Sequence, residues 1–227
     1  PRPTPLSRRF RKGAALVKPK VLLIGTYDHP PYHPLKGVDQ CLTDLLSDLY
    51  DVQVTDRSED FLALHAEWAL VISYVDEWNL AIPDEHAAAL RQYVENGGGL
   101  LAIHNGISLQ MHPLLEQLLG GKFTRHPAQE AITYHADPEG FLAACPDFTL
   151  TEEPYQFEMN AEVTPILHYT YHGDSYLAGW ERTQGEGRVV FLSPGHTLVT
   201  FEEPSFRDMI RMSALRCQRQ NKVMTKA

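Results

Sequence analysis

The chain has 227 residues, 43% of them apolar and 22% charged, with a formal net charge of −9. That length supports one large domain with its own core, and the acidic balance argues against nucleic acid as the main partner. No apolar run is long enough to span a bilayer. The three scattered cysteines (Cys41, Cys145 and Cys217) form no CxxC pair and point to a reducing, cytoplasmic compartment.

Charge is uneven. Residues 1–20 hold seven Lys/Arg and no acid, whereas the remainder carries 13 basic against 29 acidic side chains. The expectation for 1–19 is a poorly ordered basic arm. It lacks the apolar stretch of a secretory signal, and a chain beginning at Pro1 leaves open a leader already removed. The folded domain is expected over 20–218, with a tail over 219–227.

"KVLLIG" reads as a strand buried on both faces. A loop rich in Pro, His and Tyr follows. Val38, Leu42, Leu45, Leu46 and Leu49 then recur at helical spacing. "DVQVTD" and "ALVISYV" read as strands. "IPDEHAAALRQYVENGGG" reads as a helix with Pro83 at its start, Asp84 and Glu85 complementing the dipole, and Gly97 at its C-terminal end. "GLLAIH" is a further buried strand, and "LQMHPLLEQLLGG" is helical with a break or restart at Pro113.

The second half changes character. "ITYHA", "VTPILHYTYH", "SYLAGWE" and "GRVVFLS" read as strands with hairpin-type turns at "HGDS" and "QGEG". A final helix about 204–218 places Phe206, Met209, Ile210 and Ser213 on one stripe. The predicted fold is α/β: a three-layer, flavodoxin-like sheet, mostly parallel, with antiparallel additions in the C-terminal half.

The stretch Ala102-Ile103-His104-Asn105-Gly106 carries the first functional signal. Small residues two places either side of a strand-ending residue relieve crowding at a sharp turn, the geometry of a nucleophile elbow. Here histidine occupies the centre, and histidine is enriched at positive φ. In open α/β sheets the crevice beyond the carboxyl ends of the strands holds the ligand. His29 and His33 follow the first strand, His126 lies in "GGKFTRHP", and His196 follows "GRVVFLSPG". Convergence of at least three imidazoles is therefore expected. His65, His86, His112, His135, His168 and His172 fall within elements or turns and read as packing or surface residues.

"GGGLLAIHNG", "HPLLEQLLGGKFTRHP", "EEPYQFEMN" and "GRVVFLSPGHTLVTFEEPSF" together resemble the ThuA-like domain, over about residues 20–217. That family is associated with trehalose and related sugar utilisation and belongs to the class I glutamine amidotransferase-like superfamily. The resemblance implies a site built from His29, His33, His104, His126, Glu153, Tyr155 and His196. True amidotransferases carry cysteine at the elbow, where His104 stands, and an acid two residues after the later histidine, where Leu198 stands. Without the thiol, the thioester of glutamine hydrolysis cannot form.

Three uses of such a site compete. His29, His33, His104 and His196, with Glu153, are candidate ligands for zinc or another divalent metal. Metal-free acid/base chemistry by His104, His196 and Glu153 on a keto-sugar is the second, as isomerisation or hydrolysis. Non-catalytic binding of a carbohydrate or metabolite is the third. Tyr32, Asn105, His126 and Tyr155 are candidate binding residues, the aromatics for stacking on sugar faces, whereas Trp180 reads as core. The expected partner is a small carbohydrate, with neither nucleic acid nor membrane. Homo-oligomerisation through "CLTDLLSDLY" or the last helix is compatible with each.

Overall fold

The structure is a computed structural model and describes residues 17–28, 32–79 and 82–220. Most of the basic arm, and residues 221–227 of the tail, lie outside the described residues. In chain order the regular elements are β1 (Lys20–Gly25), α1 (Val38–Leu46), β2 (Asp51–Thr55), β3 (Trp68–Tyr74), α2 (Asp84–Glu95), β4 (Gly99–Ile103) and α3 (Pro113–Leu119). There follow β5 (Gly121–Arg125), β6 (Glu130–Ala136), β7 (Phe148–Glu152), β8 (Gln156–Met159), β9 (Thr164–Tyr171), β10 (Asp174–Gln184), β11 (Gly187–Leu192) and α4 (Pro204–Cys217).

The continuous apolar runs have the cause expected of strands covered on both faces. In β1, Val21 and Leu23 enter one buried cluster, and Leu22 and Ile24 enter another on the opposite face. β4 divides the same way, Leu101 and Ile103 against Leu100 and Ala102, as does β11, Val190 and Leu192 against Val189 and Phe191. Helices α1 and α4 cover the first face through Leu42, Leu45, Phe206, Met209 and Ile210. Helices α2 and α3 cover the second through Leu90, Val94, Leu115 and Leu118. This is the three-layer arrangement.

The main sheet has nine strands in the order β2-β1-β3-β4-β11-β10-β9-β6-β7. From β2 to β11 neighbouring strands are parallel, and from β11 onward each pair is antiparallel. The β9–β10 turn has positive φ at both His172 (50°) and Gly173 (89°), as a two-residue type I′ hairpin requires.

Pro113 opens α3 rather than breaking a longer helix. His112 is the N-cap, accepting from Leu114 N–H at 3.2 Å, and Pro113 supplies the preset φ of a first helical residue. Residues His104–Met111 form a 3-10 segment. Three strands had no periodic signal of their own. β7 extends the edge of the main sheet, and β5 pairs with β8 in a separate two-stranded sheet. Phe157 of β8 packs edge-on against Trp180 and Phe191, with ring centroids 5.0 and 5.2 Å away. The small sheet is thereby seated on the α3 side of the large one.

Glu181, in β10, is buried yet paired with two guanidinium groups, Arg188 and Arg216, the latter through two contacts of 2.9 Å. Burial by itself raises its carboxyl pKa, but the bonds from Arg216 and Arg188 outweigh this and hold it below the usual 4.5. A carboxyl whose folded pKa is depressed stabilises the fold in full above its unfolded pKa, and loses that contribution as pH falls through the folded value. Glu181→Gln is therefore expected to lower stability by about 1–3 kcal/mol at neutral pH. The gap between parent and variant should narrow only below pH 4.5, read from urea unfolding midpoints across pH.

Candidate functional site

His104 adopts φ 48°, the left-handed region, immediately after β4. The small residue at 106 has a specific cause: a Cβ on Gly106 would lie 2.2 Å from the carbonyl oxygen of Ser73 in β3. The chain thus turns sharply while pressed against the neighbouring strand. Gly195, after β11, approaches from the other side with φ 141°, where a Cβ would lie 2.8 Å from the Cβ of His104. His104 sits between these two loops, fully buried.

Three imidazoles and one carboxylate meet there. His33 Nε2 is 3.2 Å from His104 Nε2 and 2.9 Å from His196 Nδ1. Glu153 Oε2 lies 3.3 Å from His196 Nδ1, 3.5 Å from His104 Nε2 and 3.8 Å from His33 Nε2. One donor atom from each of the four residues falls within 4.8 Å of every other.

The opposite ring nitrogens are tied outward. His104 Nδ1 is 2.7 Å from the carbonyl oxygen of Ser193, which only accepts, so Nδ1 carries the proton and Nε2 presents its lone pair inward. His33 Nδ1 faces Asp76 Oδ1 at 3.5 Å. His196 Nε2 faces the side-chain amide of Gln129 at 2.5 Å.

Burial pushes the His33 imidazole below its usual pKa, and the neighbouring His104 and His196 rings add to this against the pull of Asp76. For Glu153 burial acts upward, but its close contacts with the His104 and His196 rings prevail and hold its carboxyl well below the usual range. The bond to Glu153 in turn raises His196.

Tyr155 stacks on His104 with centroids 4.4 Å apart and planes 23° apart. Behind it runs an aromatic wall: Phe123 lies 4.4 Å from Tyr155, and Trp78 lies 5.4 Å from Phe123. His126 stands at the rim, its Nε2 3.7 Å from Glu153 Oε1. Tyr32 is 73% exposed, with its ring 6.1 Å from that of His33. Asn105 is buried, and its amide donates to the Tyr74 carbonyl at 2.8 Å, bracing β3. His29 lies outside the described residues. Trp180 is core, donating to the Leu119 carbonyl.

The remaining histidines have local partners. His112 caps α3, while His86, His135 and His168 hold Ser58, Asp147 and Asp137 at 2.9, 2.8 and 3.0 Å. No thiol stands at the elbow. Cys41 is in α1, Cys145 contacts Met212, and Cys217 bonds the Arg188 carbonyl from α4.

The sequence profile of the ThuA family, described as trehalose utilisation, matches residues 20–215. The chain belongs to the ThuA family. No curated protein sequence matches it. Its fold is similar to that of a ThuA-like protein from Bacteroides uniformis, with a TM-score of 0.70 at 17% identity, covering 90% of this chain and 94% of that one. A ThuA-like protein from Parabacteroides merdae gives 0.72 at 14% identity, covering 88% and 90%. A β-galactosidase from Rahnella sp. R3 contains the same fold in part of its length, with a TM-score of 0.63 at 12% identity over 86% of this chain and 32% of that one. At these identities the likenesses speak for the ThuA-family fold alone.

Two residues of the site escaped the sequence reading. Asp76 directly follows the buried strand "ALVISYV", and an acid at the carboxyl end of such a strand was a usable signal. Glu152 is the last residue of β7 and Glu153 lies just beyond it, and the two carboxyl groups go to different partners.

The left-handed turn is measurable. His104→Gly is expected to be more stable than His104→Ala by about 0.5–1 kcal/mol, because only glycine adopts φ 48° without a Cβ clash. Urea unfolding of the two variants checks this, and alanine equal to or better than glycine would contradict the turn.

Proposed function

We propose that this ThuA-family chain is a carbohydrate-directed enzyme, a hydrolase or isomerase, whose site binds a divalent cation of the zinc class through His33, His104, His196 and Glu153. One observation carries this: three imidazoles have their outer nitrogens held by other groups and their inner nitrogens converging with a carboxylate. Four ligands at tetrahedral zinc distances stand about 3.3 Å apart. The nitrogen–nitrogen separations of 2.9 and 3.2 Å and nitrogen–oxygen separations of 3.3–3.8 Å bracket that value. The mixed nitrogen–oxygen donor set suits zinc and its late first-row neighbours.

Such a cation supplies Lewis-acid polarisation of a sugar oxygen. The chain's own residues do the rest. Ser193 fixes the His104 tautomer, and Asp76 and Gln129 aim the outer nitrogens of His33 and His196. His196 bonds Glu153 through Nδ1 and would hold the cation with that nitrogen after releasing the Nδ1 proton to solvent. His126, at the rim, has its Nδ1 2.7 Å from the Pro127 carbonyl, which leaves Nε2 as the proton-accepting atom toward incoming hydroxyl groups. Trp78 and Phe123 form an apolar wall for a sugar face, backed by the buried Tyr155, and Tyr32 adds an exposed ring at the mouth.

The family description and the aromatic wall support a carbohydrate as the ligand. Cysteine-based glutamine hydrolysis has no nucleophile at the elbow. A second reading, metal-free acid/base chemistry by the Glu153–His196 pair, is favoured by the raised pKa of His196. It shares the residues and differs in its metal requirement.

Elemental analysis of protein purified without a nickel column is expected to show a stoichiometric divalent ion. His104→Ala should weaken its affinity by more than about 100-fold. Protein that remains empty when supplied with zinc, and turns over substrate in a chelator, would replace this reading with the second. Thermal-shift screening against disaccharides and their keto derivatives tests the ligand class. A saturating carbohydrate is expected to raise Tm, by linkage, and no shift with any of them would count against a sugar.

A further inference from the structure

Among the described residues, the buried acids are Asp76, Glu152 and Glu181. Glu181 has its two arginines. Asp76 and Glu152 are both fully buried, and among the described residues neither is paired with a lysine or arginine. Burying an acid without a cationic partner is expensive unless its oxygens are well hydrogen-bonded. Their bonds go to the two loops that carry site histidines.

Asp76 Oδ2 accepts from the backbone N–H groups of Tyr32 and His33, each at 2.6 Å. Its Oδ1 accepts from Trp78 Nε1 at 2.8 Å and faces His33 Nδ1. The main chain at His33 and the far side of its ring are therefore gripped by one carboxyl group. Glu152 does the corresponding work after β11. Its Oε1 accepts from Gly195 N–H at 3.3 Å and from the Thr200 hydroxyl, and both oxygens lie 3.2 Å from His196 N. Tyr74 Oη completes the grip by donating to the Gly195 carbonyl at 2.6 Å. Residues 32–34 and 193–197, around these histidines, lie outside helices and strands, so their backbone N–H groups need such acceptors.

Resting on the proposed metal-binding function, we infer that Asp76 and Glu152 are positioning residues that fix the His33 and His196 loops in the spacing a divalent cation requires. They act through the histidines and touch neither cation nor substrate. The arrangement matches the outer groups that orient metal-binding histidines elsewhere, whose loss typically weakens affinity by 10–100-fold. Glu152 adds a main-chain version of it, since it holds the backbone at His196 rather than the ring.

The test uses Asp76→Asn and Glu152→Gln in the full chain, with Glu181→Gln as a buried-acid control remote from the site. Zn²⁺ affinity, measured by calorimetric titration, is expected to fall about 10–100-fold in each of the first two variants. It should stay at the parental value in Glu181→Gln, although that variant loses stability. If Glu152→Gln fails to fold, Thr200→Val removes one of its donors and is expected to weaken binding in the same direction. Parental affinity in both site variants would overturn the inference.

A second readout needs no metal. Ring ¹H–¹⁵N spectra of the metal-free protein should show His33 perturbed most by Asp76→Asn, and His196 perturbed most by Glu152→Gln. If the parent binds no Zn²⁺, the metal function fails, and these spectra still decide the positioning role. Unchanged ring signals in both variants would sink it.

Discussion

The left-handed turn at His104 is the constraint on which the site depends. β4 lies inside the parallel half of the sheet, between β3 and β11. A strand ending there has neighbours pressing from both sides: Ser73 against Gly106, and Gly195 against His104 itself. The backbone turns abruptly because there is no room for a gradual exit. The imidazole is consequently delivered over the carboxyl edge of the sheet instead of continuing along the strand. A left-handed residue with a side chain costs about 1–2 kcal/mol, and the packing around it over-determines the conformation.

Strand order then gathers the rest. β1, β3, β4 and β11 are consecutive in the sheet, and the segments leaving them supply His33, Asp76, His104 and His196. Parallel strands place all these exits on one edge. The carboxylate arrives by another route. The chain leaves β7 at Glu152, passes Glu153 and Tyr155, and enters the small β5–β8 sheet. Tyr155 is anchored by the hydroxyl of Tyr169, which donates to its carbonyl at 2.9 Å, and by its own stacking on His104. Glu153 is held between these attachments, close to four imidazoles and to little solvent. That setting explains why its acidity and that of His196 move in opposite directions.

Much of the fold was legible because its signals are local. Buried parallel strands read as apolar runs, α2 carries its punctuation at both ends, and the elbow announces itself by small residues around His104. The less legible pieces lack such signals. β5, β7 and β8 are short and partly exposed, and they form only because partners distant in sequence complete their hydrogen bonds. Of the break or restart expected at Pro113, the structure shows a start: α3 begins there, because the preceding turn has already been spent on the exit from β4. Asn105 stands beside His104, fully buried, and its amide N–H serves the Tyr74 carbonyl, a contact that no local pattern announces.

By itself, the sequence determined the α/β layering, the imidazole in place of a nucleophilic thiol, and the ThuA-family pattern. These follow from hydrophobic period, residue identity and spacing along the chain. Only the tertiary structure decided which histidines meet. His33, His104 and His196 are 71 to 163 residues apart in pairs that touch, whereas six other histidines find partners elsewhere. It also decided that Asp76 and Glu152 lie behind two of them. Long-range pairing of strands sets those proximities, and no local pattern in the chain encodes the order in which the strands lie.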